Sequence, residues 1–107
     1  MCRLHRPELL DAAHIIPDGQ PNGDPVVPNG LSLCKIHHAA YDADLLGVGP
    51  NLVVEVAPRL LRESDGPMLT YGLQSMHGAN LHVPRSPVAQ PDRERLELRY
   101  EQFRAAS

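Results

Sequence analysis

The order of apolar and polar positions divides the first half of the chain into a strand, a loop, a second strand and a helix. The segment ELLDAAHIIP, residues 8–17, is mostly apolar and ends at a proline, which favours a strand that leads into a turn. Residues 18–28 are dense in Gly, Pro, Asp and Asn, as is typical of a surface loop. NGLSLC, residues 29–34, predicts a second strand, and residues 35–46 predict a helix because no breaker occurs before Gly47.

The second half has a weaker pattern, and we expect it to form a C-terminal extension, residues 51–107, that packs on a core of residues 1–50. NLVVEV predicts a short β-branched strand, and the segments 58–63 and 66–78 predict short helical pieces. Asp92 is a suitable N-cap for a last helix over about 92–106, with Leu96, Tyr100 and Phe103 on one apolar stripe. The predicted class is therefore α+β.

Composition indicates the number of domains, the cellular compartment and the state of the cysteines. The chain has 107 residues, no Trp and one Phe, so it fits one small domain with an aliphatic core. No apolar run approaches the roughly 20 residues of a membrane span, and the first 20 residues lack a signal-peptide pattern, so we expect a cytoplasmic protein with no membrane partner. Two cysteines in such a compartment favour metal ligands or free thiols over a disulfide.

Charge is distributed unevenly along the chain. Residues 1–50 hold three Lys/Arg and six Asp/Glu, whereas residues 51–107 hold seven of each. Bound cations would offset the acidic excess of the first half, although a merely acidic surface explains it equally well. The net charge of −3 is not typical of a DNA-binding domain.

Both cysteines occur in the same short pattern. CRLH places Cys2 three residues before His5, and CKIH places Cys34 three residues before His37. Two thiolates and two imidazoles are a common tetrahedral ligand set for structural Zn²⁺. The alternative is that the two cysteines are unrelated buried thiols.

Three further polar residues have an ordered spacing around these cysteines. His14 lies in the first predicted strand, Asn29 opens the second, and His38 lies on the helix. Together AAHIIP, NGLSLC and HHAAYD resemble the HNH endonucleases of the ββα-metal fold, and most of all the HNH domains of modification-dependent restriction endonucleases. The resemblance covers residues 2–46. It implies a nuclease core stapled by zinc, with DNA as the partner.

The resemblance also implies roles for individual residues. His14 would be the general base of phosphodiester hydrolysis, His38 a ligand of the catalytic divalent ion, Mg²⁺ or another, and Asn29 a structural residue of the active site. Asp42 follows His38 by one helical turn and is a candidate second ligand. The family often has an acidic or His ligand where this chain has Ala13. Asp11 lies two residues earlier, on the same face of the predicted strand, and is therefore a further candidate ligand. Alternatively, the protein supplies only His38 and Asp42, and waters and phosphate oxygens complete the shell.

Several alternatives stay open from the sequence. Cys2 corresponds either to the first ligand of its own C-x2-H pair or to the second Cys of a C-x2-C pattern, in which case His5 is either a substitute ligand or a bystander. The four arginines of the last helix alternate with glutamates, which favours a solvated face over phosphate contacts. A zinc-stapled nucleic-acid-binding or interaction module without catalysis is the alternative function. A double-strand cut needs two active sites, which a homodimer or a larger parent polypeptide would supply.

Overall fold

The computed structural model describes residues 1–106. Its elements are two short antiparallel hairpins and three α-helices, so the predicted α+β class is confirmed. The elements are β1 (Leu10–His14), β2 (Gly30–Cys34), α1 (Lys35–Asp42), β3 (Leu46–Val48), β4 (Val54–Val56), α2 (Pro58–Leu61) and α3 (Arg93–Ala106). Among the described residues, no helix is both long and apolar enough to span a membrane.

The first hairpin and α1 form a ββα unit. Strands β1 and β2 are antiparallel, with Leu10 opposite Cys34 and His14 opposite Gly30. Strand β1 is shorter than predicted, because Pro7–Leu9 forms a 3-10 turn before it. Helix α1 follows β2 directly, and Cys34 is its N-cap, with the sulfur accepting a hydrogen bond from the backbone N–H of His37.

Helix α1 ends at Asp42, one turn earlier than the sequence predicted. The amide of Leu45 donates to the carbonyl of Ala40, and the amide of Asp44 donates to that of Tyr41. This is the Schellman pattern, in which Asp44 takes the left-handed position that glycine usually fills, with φ of +56°. The chain then turns into the strand β3, Leu46–Val48, whose first residue we expected to be the last of the helix.

The second hairpin joins the C-terminal segment to the rest of the core. Strand β3 pairs with β4 in antiparallel register, with Leu46 opposite Val56, and the segment 78–81 hydrogen-bonds along the far side of β4. Gly47 in β3 faces α3, and a Cβ there would lie 2.5 Å from the Phe103 ring. The close packing of α3 on β3 therefore requires a glycine at this position.

Helix α3 begins after Asp92, whose side chain accepts a hydrogen bond from the amide of Arg95 at 3.1 Å. Its buried residues are Leu96, Arg99 and Phe103. The predicted stripe was therefore wrong at one position, since Arg99 is buried and Tyr100 is only half-buried. Leu96 belongs to the same aliphatic cluster as Ile15 and Leu33, so α3 packs on the core of the first hairpin.

Candidate active site and metal centre

Asn29 lies at the end of the long loop between β1 and β2, and its side chain is bonded to the start of that loop. The residue is 1% exposed. Its Oδ1 accepts from the Ile16 amide at 2.9 Å, and its Nδ2 donates to the carbonyls of Ile16 and Asp24, each at 3.1 Å. The Asn29 carbonyl in turn accepts from the Ile15 amide at 2.9 Å. All four contacts hold the two ends of the long loop together immediately after His14.

His38 lies between two carboxylates. Its Nδ1 is 2.9 Å from Oδ2 of Asp11, and its Nε2 is 3.2 Å from Oδ2 of Asp42. If Nδ1–H donates to Asp11, a lone pair on Nε2 faces the Asp42 carboxylate, and this arrangement is repulsive unless a proton or a cation lies between them. Adjacent ligand atoms of an octahedral Mg²⁺ are about 3 Å apart, so this pair of atoms fits two neighbouring positions around one ion.

Asp11 does not lie where a direct metal ligand would be expected. Oδ2 is taken by His38, and Oδ1 forms an ion pair with Lys35 Nζ at 2.8 Å. The hydrogen bonds from Lys35 and His38 hold the pKa of Asp11 below its usual range, so the carboxylate is ionised at neutral pH. Both oxygens of Asp11 thus have a partner, and the contact with His38 is the kind that orients a metal-ligating imidazole.

His14 and His38 open onto the same cleft, which has a volume of about 380 Å³. Its other polar lining residues are Asp18, Asp42, Arg99 and Gln102. Nε2 of His14 is buried and has no hydrogen-bond partner within residues 1–106. A larger and mostly apolar cavity of about 530 Å³ contains neither histidine, so volume alone does not locate the chemistry.

A second group of ligating atoms lies at the junction of β2 and α1. The sulfurs of Cys2 and Cys34 and a ring nitrogen of His37 are all within 4.8 Å of one another. Nδ1 of His37 is 3.3 Å from the Cys34 sulfur, and Nε2 is 2.6 Å from the carbonyl of Gly72. Donation of Nε2–H to that carbonyl leaves the Nδ1 lone pair free for a metal, and two thiolates with an imidazole suit Zn²⁺.

His5 lies outside this group. It is exposed, and the backbone turns sharply at Arg3, which has φ of +64°. The structure thus brings together three of the four predicted zinc ligands. His5 and His82 both line a space of about 170 Å³ that Cys2 and Cys34 also line.

The adjacent histidines of α1 serve different environments. His37 is 3% exposed and contacts Cys34 and Gly72, whereas His38 contacts Asp11 and Asp42. Successive helical residues point about 100° apart, which explains how neighbours reach two separate sites.

The comparison with known families agrees with this geometry. Residues 1–49 match the family model described as HNH endonuclease. HNH domains use divalent metals, and the match suggests nuclease-type activity. No curated protein and no solved structure matches the chain. The matched segment contains His14, Asn29, His38 and the cysteine–histidine group, and it ends before the second hairpin is complete.

Residues 50–107 lie outside the match, yet they contribute to the cleft. Arg99 and Gln102 of α3 line it together with the two histidines. We predicted Arg99 to be part of a solvated helix face, and this was wrong, because Arg99 is 5% exposed. The spacing itself contained the signal, since Arg99 lies three residues after Leu96 and four before Phe103.

Proposed function

We propose that the chain is a metal-dependent HNH endonuclease that hydrolyses DNA phosphodiester bonds in the cleft between α1 and α3. The observation that carries this proposal is the buried Nε2 of His14, which has no hydrogen-bond partner within residues 1–106, on a residue that lines the same cleft as His38 and Asp42. A buried polar atom without a partner is costly, and it is retained where a ligand or a reacting group completes it.

His14 acts as the general base in this mechanism. Its free Nε2 accepts a proton from the water that attacks the phosphorus atom, while the P–O bond to the departing 3′ oxygen breaks. An imidazole suits this role because its ordinary pKa lies near neutral pH. No covalent intermediate with the protein is required.

His38 and Asp42 would hold the catalytic ion. A divalent ion bound there would neutralise charge on the phosphate and on the leaving oxygen. Asp11 fixes the His38 ring with Nε2 toward Asp42, and Lys35 pairs with the other oxygen of Asp11. Asn29 keeps the backbone after His14 in place by its three side-chain hydrogen bonds.

The Cys2, Cys34 and His37 group would hold a structural zinc ion. With zinc bound, the N-terminal segment is fixed to the start of α1, and His37 links that site to the Gly72 carbonyl. Metal binding and folding are coupled in such sites, so zinc would stabilise the hairpin that carries His14.

A plasmid-nicking assay with metal titration tests the proposed function. Purified protein with its zinc retained is incubated with supercoiled DNA and Mg²⁺ or Mn²⁺, and nicked product is measured over time. We expect nicking that depends on the added ion, and His38→Ala should lose it while keeping its zinc. Absence of cleavage with every common divalent ion would contradict the proposal.

The resemblance to modification-dependent restriction enzymes leads us to propose a restriction-type role for this nuclease. The same assay on methylated and unmethylated plasmid separates such selectivity from general nicking. The acidic first half and Ala13 favour the alternative, a zinc-stapled nucleic-acid-binding or interaction module. DNA binding without metal-dependent cleavage would support that alternative.

A further inference from the structure

Helix α3 places one arginine in the cleft with the two histidines, although the helix lies outside the segment that matches the HNH family model. Arg99 is 5% exposed, and its guanidinium is 4.8 Å above the Tyr41 ring. Its Nη2 donates to the Tyr41 carbonyl at 2.6 Å. These contacts fix the position of the side chain, so its charge is preorganised with respect to the cleft.

The contacts of Arg99 do not use all its donors. A guanidinium has five N–H groups, and the contacts of Nη2 account for two at most. Nε of Arg99 is buried and has no hydrogen-bond partner within residues 1–106. Asp44 Oδ1 is 3.3 Å from Nη2 but is itself without a hydrogen bond, so Asp44 supplies a counter-charge without occupying the remaining donors.

The carboxylates of the cleft would repel a phosphate group, and Arg99 can offset that repulsion. Asp18 and Asp42 are the carboxylates that line it, and both repel a phosphate group in the absence of a cation. Burial raises the pKa of Tyr41, so its phenol stays neutral and does not add to that repulsion. Among the described residues that line the cleft, Arg99 alone is a lysine or an arginine. A guanidinium pairs well with phosphate oxygens.

We infer that Arg99 binds a non-bridging phosphate oxygen of the DNA strand in the cleft, so that α3 completes the active site built by residues 1–49. This inference rests on the proposed function. It assigns to the C-terminal extension a direct contact with substrate: the free donors of Arg99 contact the phosphate from the side opposite His38 and Asp42. A guanidinium used only to neutralise Asp44 would have no such contact.

The test removes the Arg99–Asp44 ion pair as a unit. Loss of Arg99 alone leaves Asp44 without its partner, whereas the double variant R99Q/D44N keeps the protein's net charge and avoids an unpaired buried charge. Asn also tolerates the left-handed conformation of residue 44. The matched control is R93Q on the same helix, since Arg93 donates to the Pro50 carbonyl and is exposed.

DNA binding is measured first, by fluorescence anisotropy with a short duplex at several salt concentrations and no added divalent ion. Each phosphate contact adds about 0.9 to the slope of log affinity against log salt. We expect R99Q/D44N to reduce the magnitude of that slope by about one relative to the parent. We also expect it to reduce plasmid nicking about tenfold or more. Parental slope and nicking in the double variant would overturn the inference.

A second variant covers the case in which R99Q/D44N does not fold. R99K keeps a cation beside Asp44, but an ammonium cannot bond the Tyr41 carbonyl and a phosphate in the geometry of a guanidinium. We expect R99K to keep the salt slope and lose nicking about tenfold or more. Nicking by R99K at the parental rate would overturn the inference.

The two measurements also separate this inference from the proposed function. If the parent binds DNA but does not cut it, the nuclease proposal fails, and the salt slope of the double variant still decides whether Arg99 contacts phosphate. If the parent cuts DNA and the Arg99 variants match it, only the Arg99 inference fails. If the parent neither binds nor cuts DNA, both fail.

Discussion

Replacement of Asn29 by alanine should destabilise the fold and displace His14, the proposed general base. The substitution removes three side-chain hydrogen bonds and leaves the Ile16 amide buried without an acceptor. An orphaned buried donor costs about 1–3 kcal/mol, and each lost neutral hydrogen bond contributes about 1 kcal/mol. Part of this cost is recovered by water at the Asp24 carbonyl, which lies next to exposed residues. We therefore expect a loss of about 2–4 kcal/mol in the free energy of unfolding.

Urea denaturation followed by circular dichroism measures this loss. The matched control is Asn51→Ala, which removes a single exposed bond from the Val53 amide to Asn51 Oδ1 at 3.2 Å. We expect the control to cost less than about 1 kcal/mol. Asn29→Ala should also nick DNA more slowly than the parent under conditions where both are folded, because Ile15 and Ile16 follow His14 directly. Equal unfolding free energies for Asn29→Ala and Asn51→Ala would refute the reasoning.

Three other substitutions probe separate parts of the account. His37→Ala should release zinc and lower the melting temperature, whereas His38→Ala should retain zinc; elemental analysis that finds equal zinc in both would contradict the division into two sites. Gly47→Ala should destabilise the protein by about 1–3 kcal/mol in a denaturant titration, because its Cβ meets the Phe103 ring, and an unchanged midpoint would contradict the packing. The pKa of Asp11 is lowered from 3.8 on folding, so its stabilising effect is present above that pH and is lost as the pH falls through the lower folded value. The difference in unfolding free energy between parent and Asp11→Asn should therefore shrink on acidification below pH 3.8, and a difference that grows would contradict the ion-pair assignment.

The local patterns of the sequence were sufficient for the ββα unit and for the last helix. A Pro/Gly-rich loop separates two apolar segments there, and Asp92 has the chemistry of an N-cap. The end of α1 was not predictable in the same way. Asp44 takes a left-handed conformation that sequence patterns associate with glycine or asparagine, so the predicted helix ran on to Leu46, the first residue of the strand that pairs with β4.

In the candidate site, too, the residues close together in the chain were predictable, and the contacts from distant segments were not. His14, Asn29 and His38 have a recognisable spacing, because the hairpin and helix that carry them are contiguous in the chain. Arg99 contacts Tyr41, which lies 58 residues earlier in the chain. The Gly72 carbonyl contacts His37, which lies 35 residues earlier. Such contacts depend on how α3 and the segment 68–73 pack, and composition carries no direct signal for that packing.

The nicking rate of His14→Ala, compared with that of the parent, tests the central claim most directly. Both proteins are first matched for zinc content and melting temperature, and supercoiled plasmid is then cut at saturating Mg²⁺ or Mn²⁺ under single-turnover conditions. Loss of a general base costs about 10²–10⁴ in rate, so His14→Ala should be slower than the parent by that factor. A His14→Ala protein that nicks within about threefold of the parent, well short of that factor, would contradict the assignment of His14 as the base.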